Sequence, residues 1–346
     1  MKIGSREIGE NNPCFIIAEL SANHNGDLNV AIETIRAAKR TGADAIKLQT
    51  YTPDTLTINC DNDYFKIDGG TLWDGKTLYE LYNEAYTPWE WHQKLFEVAE
   101  EEGLICFSSP FDKTAVDFLE KLNVPAYKIA SFEIQDIPLI EYTASKGKPI
   151  IMSTGIAEEK DIALAVETCR NVGNNDIILL KCTSSYPAPL DLANLNTIPD
   201  LKKRFNVEVG FSDHTYGSLA PVIATTLGAN IIEKHFILNK EIGSPDADFS
   251  LDEKDFSEMV KAIRDTEKLL GVVSYEISEK VKKNRKFARS LFVVEDVKKG
   301  DLISDKNIRS IRPGYGLHPK HYSEVLGKKA LVDILKGTPL SLELIN

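Results

Sequence analysis

The stretch PWEWHQKLFEVAEEEGLICFSSP, residues 88–110, contains one complete unit of the pattern that decides the fold. Its first part, 88–103, has apolar residues at helical spacing and ends at Gly103, a residue common at helix C-termini. Its second part, LICFSSP (104–110), is a short apolar run typical of a strand. The unit therefore predicts a helix followed by a buried strand.

Similar apolar runs recur at fairly even intervals, and helical patterns such as 29–43 and 219–229 lie between them. Apolar runs without strict alternation fit strands covered on both faces, as in a parallel sheet. Eight units favour a (β/α)8 TIM barrel over an open doubly wound sheet, and no GxGxxG motif follows the first strand. The other seven runs are FIIAEL (15–20), AIKLQT (45–50), AYKIAS (126–131), PIIMSTG (149–155), DIILLKCTS (176–184), VEVGFSDH (207–214) and ANIIEKHF (229–236).

The chain of 346 residues has room for a barrel of about 250 residues and one smaller domain. After a last barrel helix, predicted at about 253–271, the sequence becomes basic and polar and then continues with short strand-like pieces separated by KKG and KGT turns. We expect a barrel domain over 1–277, a linker over 278–286 and a small C-terminal domain over 287–346.

Composition excludes several classes of function. The net charge of −11 argues against general binding to nucleic acid, and no apolar run approaches the roughly 20 residues that span a bilayer. The five cysteines are widely separated and form no CxxC pair, so we expect reduced thiols. The N-terminus lacks the features of a secretory signal. These properties predict a cytoplasmic protein with neither nucleic-acid nor membrane partners.

Polar residues at the ends of these strands are the candidates for an active site, because barrel enzymes place it at the C-terminal ends of their strands. Lysines inside apolar strands are costly to bury unless an anion neutralises them. Lys47 and Lys128 therefore predict a phosphate or carboxylate ligand, and ion pairs with Glu19 or Glu133 are the structural alternative. The strand-end residues are Glu19, Lys47, Gln49, Ser108, Ser109, Lys128, Ser131, Glu133, Lys181, Ser184, Tyr186, Ser212, Asp213, His214, Glu233, Lys234 and His235.

His214 and His235 end the seventh and eighth strands, which are neighbours in a barrel. Their imidazoles could share one divalent ion, although a hydrogen-bonded structural role is the alternative for each. With only two protein nitrogens the ion would keep open positions, which suits Lewis-acid chemistry at a carbonyl. Glu133 is the candidate for proton transfer, and its alternative role is to orient Lys128.

Read in order, the strand-end motifs resemble the sialic acid synthase family over essentially the whole chain. That family combines a (β/α)8 barrel with a C-terminal antifreeze-protein-like (SAF) domain. The resemblance implies a domain-swapped homodimer in which the small domain of one protomer covers the barrel of its partner. The matching segments are IIAELSANHNGD, AIKLQT, FSSPFD, AYKIASFE, IMSTGI, LKCTSSYPAP, GFSDHT, IEKHF and IRPGYGL.

Within the family, residues 65–91 (FKIDGGTLWDGKTLYELYNEAYTPWEW) resemble the pseudaminic acid branch. This resemblance implies condensation of phosphoenolpyruvate with 2,4-diacetamido-2,4,6-trideoxy-altrose, with release of phosphate, to give a nine-carbon acid for bacterial surface glycans or flagellin. The alternatives within the family are N-acetylneuraminate or legionaminic acid synthases, which use N-acetylmannosamine or 2,4-diacetamido-2,4,6-trideoxymannose.

The resemblance also implies a role for each matching residue. Manganese or magnesium would be bound by His214 and His235, and Glu133 and Glu19 would be the catalytic carboxylates. Ser184 stands where sialic acid synthases typically have an asparagine, in CTNIYP rather than CTSSYP. Phosphoenolpyruvate would contact Lys47, Ser109, Lys128, Ser131, Ser184 and Ser212, and the sugar would contact Gln49, Tyr186, Asp246 and, from the partner's small domain, Arg312.

Two other classes of function are weighed against a synthase. A class II aldolase would use pyruvate itself and would release no phosphate. A glycan- or ice-binding module would account for the C-terminal domain alone, and it would leave the strand-end lysines, histidines and carboxylates without a purpose.

Overall fold

The computed structural model describes residues 1–70 and 73–346, which form two compact units, Met1–Gly271 and Val272–Asn346. Thr71 and Leu72, two positions of the stretch that resembles the pseudaminic acid branch, lie outside the described residues. Of the described helices, none is long and apolar enough to cross a membrane.

The first unit is a closed barrel of eight parallel strands, as predicted. The last strand pairs with the first, Ile231 beside Phe15, and this pairing closes the barrel. Each strand lies within its predicted run. A hairpin of two short strands that the sequence pattern did not predict, β1 (Lys2–Ile3) and β2 (Arg6–Glu7), comes before the barrel. The barrel strands are β3 (Phe15–Glu19), β4 (Ala45–Thr50), β5 (Ile105–Pro110), β6 (Tyr127–Ile129), β7 (Ile150–Ser153), β8 (Ile177–Cys182), β9 (Glu208–Asp213) and β10 (Ile231–His235).

Helices alternate with the barrel strands. Several begin at an aspartate whose carboxylate accepts hydrogen bonds from the first turn, as Asp112 does from the amides of Thr114 and Ala115. The connection between β4 and β5 is long, and its described residues include three helices. The helices of this unit are α1 (Leu28–Arg40), α2 (Pro53–Leu56), α3 (Leu78–Ala85), α4 (Trp89–Glu101), α5 (Lys113–Lys121), α6 (Ile137–Ala144), α7 (Glu159–Asn171), α8 (Thr197–Phe205), α9 (Leu219–Thr226) and α10 (Glu253–Leu270).

The barrel interior changes character along the strands. Alternate residues of a barrel strand point inward. The inner apolar cluster contains Ile3, Ile8, Phe15, Ile17, Ala45, Phe107, Ala126, Ile151, Ile178, Leu180 and Ile231. Two positions after seven of these residues come Glu19, Lys47, Ser109, Lys128, Ser153, Cys182 and Glu233. The N-terminal end of the barrel is therefore apolar inside, and its C-terminal mouth is polar and charged.

The second unit has its own apolar core and an antiparallel pair of strands, β11 (Ser290–Val293) and β12 (Ile308–Ile311). Its helices are α11 (Glu279–Asn284) and α12 (Tyr322–Val325). The first of these lies in the segment predicted as a linker, where polar composition concealed it. The predicted KGT turn is present, since Gly337 has a φ of 89°, and the pieces beside it pair through isolated bridges such as Ala330 with Ile345 in place of regular strands.

Candidate active site

A buried ion cluster lies at the barrel mouth. The Lys47 ammonium is 2.6 Å from Glu19 and 3.3 Å from Glu233. The Lys128 ammonium is 3.6 Å from the other oxygen of Glu233, which also accepts a hydrogen bond from Ser212 at 3.0 Å. Lys47 and Lys128 are 4% and 2% exposed, so neither charge is solvated by bulk water. The two predicted lysines thus meet through Glu233, a residue to which the sequence interpretation gave no role.

The charges in this cluster depend on one another. Burial, together with the charge of Lys128, lowers the pKa of Lys47 to about 7, although Glu233 acts in the opposite direction. Burial by itself would raise the pKa of Glu233, but Lys128 and Lys47 hold it below its usual value. Buried charges persist only when they are paired. An anion that entered beside the lysines would favour their charged form.

Serine hydroxyls surround the lysines. Ser109 accepts a hydrogen bond from the Lys47 ammonium at 3.5 Å, and Ser131 accepts one from the amide of Gly155 at 3.1 Å. A Cβ atom on Gly155 would overlap the hydroxyls of Ser131 and Ser184. Because glycine has no side chain, both hydroxyls fit beside it. Six residues are predicted to contact phosphoenolpyruvate, and all of them lie at the same barrel mouth: Lys47, Ser109, Lys128, Ser131, Ser184 and Ser212. Their contact with that ligand stays a prediction.

The two predicted metal ligands are adjacent, with ring centroids 5.4 Å apart. Nδ1 of His214 lies 3.1 Å from the carbonyl oxygen of Thr183. A carbonyl can only accept a hydrogen bond, so Nδ1 carries the proton and, in the neutral ring, Nε2 keeps a lone pair for a ligand. Burial lowers the pKa of His214, but Cys182 and the Thr183 carbonyl outweigh it and raise the pKa above its ordinary value, so a cation at Nε2 would displace a proton from the charged ring. Nδ1 of His235 lies 3.7 Å from Asp246 and has no hydrogen-bond partner among the described residues.

The electrostatic setting of His235 fits a metal ligand. Burial, together with the charges of His214 and Lys47, lowers the pKa of His235 well below its ordinary value, so the imidazole is neutral. Neutral imidazole is the form that binds divalent cations. In the described part of the chain no group of three or more His, Cys, Asp or Glu residues could hold an ion. The imidazole pair would therefore leave positions open for other ligands.

Glu133 occupies a turn directly after β6. Burial raises the pKa of this carboxyl to about 7, although Lys128 and Lys47 act in the opposite direction. Its Oε2 atom accepts no hydrogen bond from the described residues. A carboxyl that titrates near neutrality can both give and take a proton, which fits its predicted role.

A chain of hydrogen bonds runs from the ion cluster to Asp246, the carboxylate that lies 3.7 Å from His235. The amide of Gln49 donates to Glu19 at 3.1 Å and to Ser21 at 2.9 Å. The Ser21 hydroxyl in turn donates to Asp246 at 2.5 Å. Two predicted sugar contacts, Gln49 and Asp246, therefore belong to one network.

Aromatic rings line the opposite side of the histidine pair. The ring of Tyr186 lies 4.4 Å from that of His214 and 5.1 Å from that of Phe249, and Phe249 lies 4.9 Å from His235. The ring of Trp73 is 5.9 Å from that of Tyr186. The sequence interpretation assigned nothing to Phe249 or Trp73, because both belong to connections without a periodic pattern.

Three other residues complete the comparison with the sequence predictions. Cys182 was missed, and its thiol lies 3.8 Å from Nδ1 of His214. The available signal was its position two residues before Ser184, on the same face of the strand. Glu233 was named as a strand-end residue, and its position two residues before His235 could have suggested a role in the site. Arg312 lies in the second unit, where it is exposed directly after β12, and its role stays a prediction.

Comparisons with known proteins show similarity over nearly the whole chain. The model of the NeuB family matches residues 34–275, and that of the SAF domain matches residues 288–346. The chain is 54% identical to a pseudaminic acid synthase of Campylobacter jejuni, over 94% of this chain and 95% of the relative. It is 53% identical to the pseudaminic acid synthase of Helicobacter pylori, over 95% and 97%.

A solved structure is also similar. The N-acetylneuraminic acid synthetase of Leptospira borgpetersenii superposes with a TM-score of 0.73 at 32% identity, over 82% of this chain and 94% of that one.

Proposed function

This chain belongs to the NeuB family, and on that premise we propose that it condenses phosphoenolpyruvate with 2,4-diacetamido-2,4,6-trideoxy-β-L-altropyranose to give pseudaminic acid and phosphate. It is a phosphoenolpyruvate-dependent synthase of the transferase class. The observation that carries the proposal is the meeting of two buried lysines and two imidazoles at one barrel mouth. The sugar follows from the similarity to two pseudaminic acid synthases over nearly the whole chain.

Lys47 and Lys128 bind the carboxylate and phosphate of phosphoenolpyruvate, and the four serines donate further hydrogen bonds. Low exposure strengthens these interactions, because charges attract more strongly away from bulk water. Glu19 and Glu233 hold the lysines in place before the anion arrives. These four groups carry no net charge between them, so the anion adds negative charge, which a divalent cation at the imidazoles would offset in part.

His214 and His235 would hold the divalent cation, Mn²⁺ or Mg²⁺, through neutral imidazole nitrogens. When bound, such a cation acts as a Lewis acid on the carbonyl oxygen of the open-chain sugar. Thr183 fixes the tautomer of His214 for this purpose.

In the reaction, C3 of phosphoenolpyruvate forms a bond to C1 of the sugar, and the former carbonyl oxygen takes a proton. Glu133 is the donor of this proton, since its pKa of about 7 keeps much of the carboxyl protonated at neutral pH. Water adds to C2 of the former phosphoenolpyruvate and returns one proton to Glu133. The new C2 hydroxyl then becomes a carbonyl as phosphate leaves with its remaining proton and with the oxygen that joined it to C2. Gln49, Tyr186 and Asp246 orient the sugar, and Glu19 helps to hold Gln49.

The proposal includes a homodimer in the cytoplasm, in which the small domain of one protomer covers the barrel of the other and Arg312 reaches an N-acetyl group. A cover of this kind would exclude water from a charged site and protect the intermediates. The product would be used on bacterial surface glycans or flagellin. Removal of residues 287–346 would then give a barrel with little activity.

A phosphate-release assay tests the proposed function. The enzyme receives phosphoenolpyruvate with the diacetamido-altrose, the diacetamido-mannose or N-acetylmannosamine, each with and without Mn²⁺. We expect the altrose to give the highest kcat/KM and the phosphate to carry ¹⁸O from phosphoenolpyruvate labelled in the bridging oxygen. A preference for N-acetylmannosamine, or phosphate without the label, would contradict the proposal.

A further inference from the structure

The connection between β4 and β5 contains a hairpin that begins near residue 65. Lys66 pairs with Thr77 in antiparallel fashion, and the amides of Ile67 and Gly75 bond across to Lys76 and Ile67 at 2.9 Å. Thr77 then begins α3 with a reciprocal side-chain cap to Glu80. The described part of this hairpin is therefore continuous with a capped helix, and it includes Trp73.

Trp73 contacts two different parts of the site. Its indole N–H donates to the carbonyl oxygen of Pro245 at 3.2 Å, and its ring lies 5.9 Å from that of Tyr186 at an angle of 58°. Pro245 directly precedes Asp246, which lies 3.7 Å from His235. Trp73 thus bridges the aromatic side and the carboxylate side of the predicted sugar subsite.

We propose that Trp73 determines sugar specificity, because its ring forms an apolar wall for the C4 and C6 end of the substrate. The inference rests on the proposed function and deepens it. The proposed sugar carries an acetamido group at C4 and a methyl group at C6, where N-acetylmannosamine has hydroxyls. Methyl groups pack well on aromatic rings such as those of Trp73, Tyr186 and Phe249. A hydroxyl buried against the same rings loses its hydration without gaining a partner.

The test compares Trp73→Ala, Trp73→Phe and the control Tyr64→Ala with the unchanged enzyme. Tyr64 is an aromatic residue of the same connection with 91% exposure, so its removal leaves the site intact. The quantity measured is kcat/KM for the diacetamido-altrose divided by kcat/KM for N-acetylmannosamine. A hydrophobic wall discriminates against an added hydroxyl by up to roughly 100-fold, so Trp73→Ala should lower the ratio by about 10- to 100-fold.

Further readouts separate a role in specificity from a structural one. The loss in Trp73→Ala should lie mainly in KM for the altrose, and KM for phosphoenolpyruvate should stay within about twofold, because uniform binding energy appears in KM. Trp73→Phe keeps an aromatic face but lacks the indole N–H, and it should retain most of the ratio. Tyr64→Ala should retain all of it.

The failures of the two ideas differ. If the unchanged enzyme prefers N-acetylmannosamine, the proposed function is wrong. If the unchanged enzyme prefers the altrose and Trp73→Ala keeps that preference, the function stands and Trp73 does not determine specificity. An equal fall of the ratio in Trp73→Phe and Trp73→Ala would also contradict the proposed apolar wall, because the indole N–H alone would then account for the sugar preference.

Discussion

The two ends of the barrel interior are formed by the same eight strands, yet they differ in chemistry. At the N-terminal end, the hairpin residues Ile3 and Ile8 pack against inward-facing apolar side chains such as Ile178, all less than 4% exposed. At the mouth, equally buried positions hold Lys47 and Glu233. Apolar burial stabilises the fold, whereas buried ion pairs are often no better than apolar residues of similar volume. The comparison indicates that the C-terminal mouth is charged because it binds ligands, and that the N-terminal end is apolar because it stabilises the fold.

The largest effect should come from neutralising half of the ion cluster. The double variant Lys128→Met, Glu233→Gln removes a buried pair without leaving either charge alone, so unfolding in urea should require as much denaturant or more. The value of kcat/KM for phosphoenolpyruvate should fall by roughly 1,000-fold, because a preorganised cation is lost. Full activity, or a marked loss of stability, would contradict the division between the two ends.

The next effect concerns the imidazole pair. His235→Ala removes one of two proposed cation ligands, and we expect Mn²⁺-dependent turnover to fall by about 100-fold or more, since Lewis-acid stabilisation is worth several kcal/mol. Circular dichroism and the thermal transition should stay close to those of the unchanged protein. Isothermal titration with Mn²⁺ checks the ligand role directly, and unchanged affinity would refute it.

A substitution at the apolar N-terminal end of the barrel should lower stability and leave activity unchanged. Ile178 is fully buried, and Ile178→Ala should lower the free energy of unfolding by about 2 to 5 kcal/mol through lost burial and a cavity. The folded fraction should keep its kcat and both KM values. Ile178→Val is the matched control, with a loss of about 1 kcal/mol. A strong effect of either variant on KM for phosphoenolpyruvate would show that the two ends are not separate.

The smallest effect is in the pH profile. Lys47 and Glu133 both have a pKa of about 7 and lose their protons as the pH rises, and the proposal needs both protonated. Above pH 7, log(kcat/KM) for phosphoenolpyruvate should therefore approach a slope of about −2. Glu133→Gln removes one titrating group, so its slope should approach about −1. The ratio of kcat/KM for the unchanged enzyme to kcat/KM for Glu133→Gln should then fall by about tenfold with each pH unit above 7. Equal slopes would exclude Glu133 as the acid.

The barrel and the place of its site could be predicted from the sequence because both follow from strong physical signals. Strands covered on both faces give continuous apolar runs, and the barrel topology brings the ends of those runs to one rim. Lys47, Lys128, His214 and His235 were found in this way. They interrupt apolar strands, and charged or imidazole groups there are too costly to be accidental.

Other features left weaker signals. Glu233 shares a face with His235 on β10, but only the structure shows that it joins two lysines. The hairpin β1–β2 is too short for a periodic pattern, and α11 has a single apolar residue, Val281. Trp73 lies in a connection whose position depends on long-range contacts with Tyr186 and Pro245, and single-sequence patterns carry no information about these.

The central claim is that one mouth binds an anionic enol phosphate and a divalent cation side by side. A crystal structure with phosphoenolpyruvate and Mn²⁺, measured at the manganese absorption edge, tests it most directly. The account predicts an anomalous peak between the imidazoles of His214 and His235, and the phosphoenolpyruvate carboxylate and phosphate against Lys47 and Lys128. Manganese bound elsewhere, or phosphoenolpyruvate away from both lysines, would contradict it.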